Sequence, residues 1–156
     1  MARHLLFALL LVPLAGCMEG DKKKDERLPR VPAKPSTLYD RLGGEEGIKK
    51  VVDDFVAAVT KNDIIRDVHK SHFEQGDVAG LKKKLVDQLG AATGGPQTYT
   101  GKNMKDAHKG MGINDADFDA LIDSLKTALD KNKVGKKEQN ELLDLLGPMR
   151  KDVVEK

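Results

Sequence analysis

The sequence predicts an all-α fold, and three observations carry the prediction. Beyond residue 36 every long apolar pattern has helical spacing, no window alternates apolar and polar residues between hairpin turns, and glycine motifs punctuate the periodic segments. The 156 residues bound the chain to one domain. A single Cys excludes an internal disulfide and any four-cysteine zinc or iron–sulfur site, so a cofactor must be held through His, carboxylates or packing. With 27 Lys+Arg against 25 Asp+Glu the formal charge is +2, far from the strongly basic balance of a phosphate-binding surface, and nucleic acid is not an expected partner.

The elements follow in order. Residues 38–42 form a short first helix, ended by Gly43-Gly44, which tolerate positive φ. Residues 45–60 form a second, in which Ile48, Val51, Val52, Phe55, Val56 and Val59 recur at i, i+3, i+4, i+7, i+8 and i+11 as one apolar stripe. Residues 62–75 are less regular. Residues 78–93 are helical again, with Val78, Leu81, Leu85, Leu89 and Ala92 facing inward and Lys82 and Lys83 outward, until Gly94-Gly95-Pro96 stops them.

From 97 to 112 the pattern dissolves into a polar, glycine-punctuated stretch containing Met104 and His108, and long loops of this kind usually serve a function. Asn114 caps the next helix with Asp117 three residues on, and Phe118, Leu121, Ile122, Leu125, Ala128 and Leu129 form its stripe. A last helix from about Lys137 presents Leu142, Leu143, Leu145, Leu146, Met149, Val153 and Val154, with a kink expected at Gly147-Pro148 because Pro removes a backbone donor.

The first residues read as an address. Met1-Ala2-Arg3-His4 is a short basic start, and residues 5–15 are apolar (LLFALLLVPLA) before Gly16 and Cys17, the pattern of a secretory signal peptide. Eleven residues at 1.5 Å each reach about half of a ~30 Å hydrocarbon core, which disfavours a permanent span. Leu14-Ala15-Gly16-Cys17 resembles the bacterial lipoprotein box, which implies lipidation of Cys17 and cleavage before it. Met18 is not the Asp that would retain such a protein at the inner membrane in Gram-negative sorting. The resemblance therefore implies a lipid anchor on the cell envelope, at the periplasmic face of the outer membrane in a Gram-negative host. Residues 19–36 carry four acidic and six basic residues, three prolines and almost no apolar side chains, and read as a flexible tether. Setting aside Arg3 and these tether charges leaves the domain close to neutral. The expected division is thus a signal peptide at 1–16, a lipidated Cys and tether at 17–36, and a folded domain at 37–156.

His108 is the residue to single out within that domain. It precedes Lys109-Gly110-Met111-Gly112, a backbone able to present an imidazole at a chosen angle, and neutral imidazole is the commonest metal ligand. Ligand sites in helical folds lie between helices.

Three sets of residues share a family's order and spacing. Leu38-Tyr39-Asp40-Arg41-Leu42-Gly43-Gly44 and Val52-Asp53-Asp54-Phe55 come first, then Gly94-Gly95-Pro96 with Tyr99-Thr100-Gly101, then Met104-x-x-Ala107-His108-x-Gly110-x-Gly112-Ile113. Residues 37–154 so resemble a truncated haemoglobin of the first group. The resemblance implies a two-over-two helical sandwich around haem b, with His108 as the proximal iron ligand and Phe73 as the ring-packing phenylalanine. An axial nitrogen and an apolar slot are what haem requires. Leu81, Leu85, Met104, Ile113, Phe118 and Leu121 would line the slot, and Lys84 would pair with a haem propionate.

Departures from the family pattern shape the functional expectation. The Tyr that usually follows the Phe of the second helix is Val56 here, and the family's other two distal positions fall on Leu85 and Leu81, so all three are aliphatic. Losing a hydrogen bond to bound O₂ costs about 1.5 to 3 kcal/mol, roughly ten- to a hundredfold in affinity. Gln88, one turn beyond Leu85, reads as a surface residue. Two other distal ligands remain open, Lys84 and His72, and His69 with His72 has the spacing of a zinc pair without a third ligand. The expectation is an envelope-anchored haem protein binding O₂, CO or NO, with NO dioxygenation or gas sensing as its use and an electron donor as a further partner. A haem-free helical lipoprotein acting as a binding or adaptor module is the alternative, and peroxidase-like electron transfer a third reading.

Overall fold

The computed structural model describes residues 36–65, 73–74 and 76–156. The signal segment, Cys17, most of the tether, His69 and His72 lie outside the described residues. Among the described residues every regular element is a helix, and none is long and apolar enough to cross a membrane.

Helix α1 (Leu38–Arg41) opens on a reciprocal cap: Asp40 N–H donates to Thr37 Oγ1 at 3.1 Å and Thr37 N–H donates to the Asp40 carboxylate at 2.9 Å. Gly43 (φ 87°) and Gly44 (φ 66°) then take the left-handed conformation that reverses the chain into α2 (Gly44–Thr60). The apolar stripe read from the sequence is the stripe this helix buries, from Ile48 to Val59. Helix α3 (Val78–Ala92) starts at Asp77, whose carboxylate accepts from Gly80 N–H at 2.9 Å. It ends one residue earlier than the sequence suggests, because Thr93 is the cap residue and turns its hydroxyl back to Leu89 O at 2.7 Å.

The polar stretch at 97–112 is not wholly irregular. It contains a short helix α4 (Met104–His108), capped by Asn103, whose side-chain oxygen accepts from Asp106 N–H at 2.8 Å. Helix α5 (Asp115–Lys131) has the Asn114–Asp117 capping box in both directions. Helix α6 (Lys136–Leu146) passes through a 3₁₀ turn at Gly147–Met149 into α7 (Arg150–Val153), the break expected at Gly147-Pro148. Leu145 departs from the inward face assigned to it and is 42% exposed, since Leu142 and Leu146, four apart, already define the buried edge.

Helix α2 is the centre of the packing, against α3 on one flank and α5 on the other. Ile48, Val52, Val59, Leu129 and Leu142 are its most completely buried side chains and neighbours. Polar ties fix the outer elements. Tyr39 N–H donates to Thr93 O at 3.0 Å, Arg41 pairs with Glu138 at 3.1 Å and with Glu141, and Lys131 and Asn132 both donate to the Asp54 carboxylate. Lys82, read as a solvated outward residue, reaches Asp53 at 2.7 Å and ties α3 to α2.

Candidate functional site

Helices α3, α4 and α5 leave two adjoining cavities, of about 490 and 140 Å³, that share Leu85, Gln88, Met104, His108, Phe118 and Leu121 on their walls. Helical spacing explains who faces them. Leu81, Lys84 with Leu85, and Gln88 stand at i, i+3/i+4 and i+7 on α3, Met104 and His108 at i and i+4 on α4, and Asp117 with Phe118 and Leu121 on one side of α5. Val52 and Phe55 of α2 close the smaller cavity, where Gln88 and His108 are the polar members of an otherwise apolar wall. Leu121 and Ile122 keep some exposure despite belonging to the stripe of α5, because they face this space rather than another helix.

His108 is half-buried, and its Nδ1 lies 2.7 Å from Met104 O. A carbonyl only accepts, so Nδ1 carries the proton and donates, and in the neutral ring Nε2 is left with its lone pair. That contact ties the ring to the helix one turn before its own backbone. Phe73 meets Phe55 edge to face, with ring centres 6.3 Å apart and an interplanar angle of 85°. Phe118, buried on the shared wall, is covered by the Arg150 guanidinium 4.8 Å above its ring, and Arg150 is itself held between Asp115 and Asp119.

All of Phe73, Leu81, Lys84, Leu85, Met104, His108, Ile113 and Phe118 line the larger cavity, brought there from four separate stretches of chain. Lys84 is exposed at its side, as is Lys102, and Tyr99 O–H donates to Lys102 O at 2.8 Å nearby. Val56 is buried in the helical core and is absent from both walls. Gln88 corrects its surface reading: it is half-buried between the cavities, and its amide faces two thioethers, Met104 Sδ at 3.2 Å and Met149 Sδ at 3.6 Å. Its place seven residues after Leu81 and three after Leu85 is the signal that assigns it to the inner face. Lys102 and Tyr99 carry no such signal, because they come from an irregular segment.

The family model for bacterial-like globins matches residues 37–155. The chain belongs to that family. Its curated relatives place this globin among the group 1 truncated haemoglobins: it is 36% identical to that of Tetrahymena pyriformis over 79% of this chain and 98% of that one, and 34% identical to that of Mycolicibacterium paratuberculosis over 78% and 86%. The crystal structure of the Tetrahymena pyriformis protein in its Fe(III) form superposes with a TM-score of 0.70 over 78% of this chain and all of that one. The 2/2 haemoglobin of Synechococcus, crystallised in the cyanomet state with covalently attached haem, is 26% identical over 76% of this globin and 98% of that chain, with a TM-score of 0.68. The fold is therefore the all-α truncated globin, a two-over-two helical sandwich, and the cofactor that accompanies it is haem.

The donor set of this globin fits that cofactor. Among the described residues no group of three or more His, Cys, Asp or Glu could hold a bare metal ion. One imidazole with a free Nε2, on the wall of an apolar slot, suits an iron that arrives with its equatorial ligands already in place. The larger cavity falls within the range of about 300–1,000 Å³ usual for cofactor sites.

Proposed function

We propose that this globin holds haem b in the paired cavities through His108 Nε2 and binds diatomic gases there. Bound haem supplies an iron with a coordination position for O₂, CO or NO. The observation that carries the reading is His108 itself, its tautomer set by Met104 O on a wall where Gln88 is the other polar member among aliphatic, aromatic and thioether groups. Phe73, Phe118 and Leu121 pack against the macrocycle, and Lys84 pairs with a propionate at the exposed side.

The residues around the gas are aliphatic. Leu81 and Leu85 donate no hydrogen bond, Val56 is turned into the core, and the Gln88 amide is engaged with two sulfurs. O₂ carries partial negative charge when bound and loses most from this, CO least. The pocket thus suits CO, NO or redox use over oxygen storage, with NO dioxygenation drawing on an external electron donor as the enzymatic form of that use. Envelope anchoring through a lipidated Cys17 belongs to the same proposal and rests on Leu14-Ala15-Gly16-Cys17. Several buried acyl chains at about 0.8 kcal/mol per CH₂ would make the anchor lasting.

Reconstitution of the purified chain with haem b, followed by CO and O₂ titration, tests the reading. A Soret band with tight CO binding and fast O₂ release is expected. No band in the haem-replete protein would overturn it in favour of a haem-free adaptor, and a slow O₂ off-rate would overturn the account of the pocket.

A further inference from the structure

We infer that Glu155 is a positioning residue for His108, holding the loop that follows the imidazole through three hydrogen bonds. Gly110 N–H donates to its Oε1 at 2.6 Å, Gly112 N–H donates to its Oε2 at 2.5 Å, and Glu155 N–H donates to Ile113 O at 2.8 Å. The two glycines take φ of 81° and 63°, and this alternation around Met111 turns both N–H groups toward one point, where a carboxylate offers one oxygen to each. Those two donors hold the Glu155 carboxyl below its usual range, and the charge of Lys156 adds to the same effect. The inference rests on the reading of His108 as the axial ligand.

The need for such a hold follows from α4. A five-residue helix is far too short to persist alone. Asn103 fixes its start, and beyond its end Met111 N–H, bonded to His108 O at 3.1 Å, ties the loop back to the helix. Glu155 adds an attachment from the far end of the chain, and its own backbone is well placed to do so. Val153, two residues earlier, is buried on the walls of both cavities, Val154 N–H donates to Arg150 O at 2.8 Å, and Arg150 is fixed on α5 by Asp115 and Asp119. The imidazole is thereby fixed on both sides, by Met104 O through its ring and by Glu155 through its loop. Sequence reading could not find this, since Glu155 sits more than forty residues from its partners as an ordinary surface acid.

The test uses the full chain loaded with haem b, as wild type, Glu155→Gln and Lys156→Ala. Gln keeps one acceptor oxygen and turns an NH₂ group toward the other glycine N–H, so two contacts become one contact and one repulsion. Three readouts apply: the iron–histidine stretching band of the reduced protein by resonance Raman, the rate of haem transfer to an excess haem-scavenging apoprotein, and amide exchange at Gly110 and Gly112. E155Q is expected to shift the band, lose haem about tenfold faster and expose both amides, with K156A unchanged. An E155Q protein with lowered thermal stability but the wild-type band and haem-transfer rate would overturn the inference, because Glu155 would then be structural only. Should E155Q fail to fold, Glu155→Asp, one methylene shorter and able to serve only one glycine, is read in the same way. A wild type whose haem spectrum and haem-transfer rate are unchanged by His108→Gly overturns the His108 reading itself, an outcome distinct from an unchanged E155Q.

Discussion

Replacing Gly47 with alanine should destabilise this globin, although helix propensity alone predicts the reverse. Gly47 lies in the first turn of α2, where exchanging glycine for alanine ordinarily gains about 0.5 to 1 kcal/mol. A Cβ placed there would overlap the Leu42 carbonyl oxygen and stand 2.9 Å from its carbon, against an optimum of about 3.5 to 4.0 Å between carbons. Both atoms are backbone, so no rotamer change relieves the clash. Relief requires moving α1, which Tyr39 N–H to Thr93 O and the Arg41 pairs with Glu138 and Glu141 hold in place. Overpacking of this kind costs about 1 to 3 kcal/mol, enough to outweigh the propensity gain. Gly147 is the contrasting case: beyond its chain neighbours nothing lies within 4 Å of its Cβ position, but it precedes Pro148 in the helical region (φ −51°, ψ −46°), where a Cβ meets the proline ring, so Gly147→Ala should gain no stability from its helical propensity. Urea unfolding followed by circular dichroism, at equal haem saturation, gives both values. A Gly47→Ala midpoint at or above wild type, with an unchanged slope, would refute the reasoning.

Leu85→Gln places an amide donor on the wall of both cavities, and its O₂ dissociation rate should fall about ten- to a hundredfold while CO dissociation changes far less; equal changes for the two gases would contradict the polarity argument. Asp54 is held below its ordinary value of 3.8, chiefly by the hydrogen bond from Lys131 and then by that from Asn132. A folded-state value below the unfolded one adds stability above pH 3.8 that is lost as pH falls through the folded value. The stability difference between wild type and Asp54→Asn should therefore be constant from about pH 5 to 7 and shrink below about pH 4, as read from unfolding curves across that range.

Much of this architecture was legible because its signals are local. The stripe from Ile48 to Val59 repeats at helical spacing, the Asn114–Asp117 box announces α5, and Gly147-Pro148 announces the break before α7. Helix α4 hid inside a glycine-punctuated segment whose composition suggests a loop; the Asn103-x-x-Asp106 cap was its one sequence signature, of the same form as Thr37-x-x-Asp40. The cavity residues of α3, α4 and α5 were accessible through periodicity and family spacing together. Gln88 escaped because a polar side chain on an apolar face reads as an edge residue until Met104 and Met149 are brought to it. Arg150 over Phe118 and Glu155 on the His108 loop escaped for another reason: each contact closes a long loop, and no spacing rule reaches across it.

The most direct test of the account exchanges His108 for glycine and supplies imidazole from solution. His108→Gly should lose the iron–histidine Raman band of the wild type, and free imidazole, entering the space the ring leaves beside Met104 O, should restore it. A variant that keeps the band without imidazole would show the axial nitrogen to come from another residue and would contradict the central assignment.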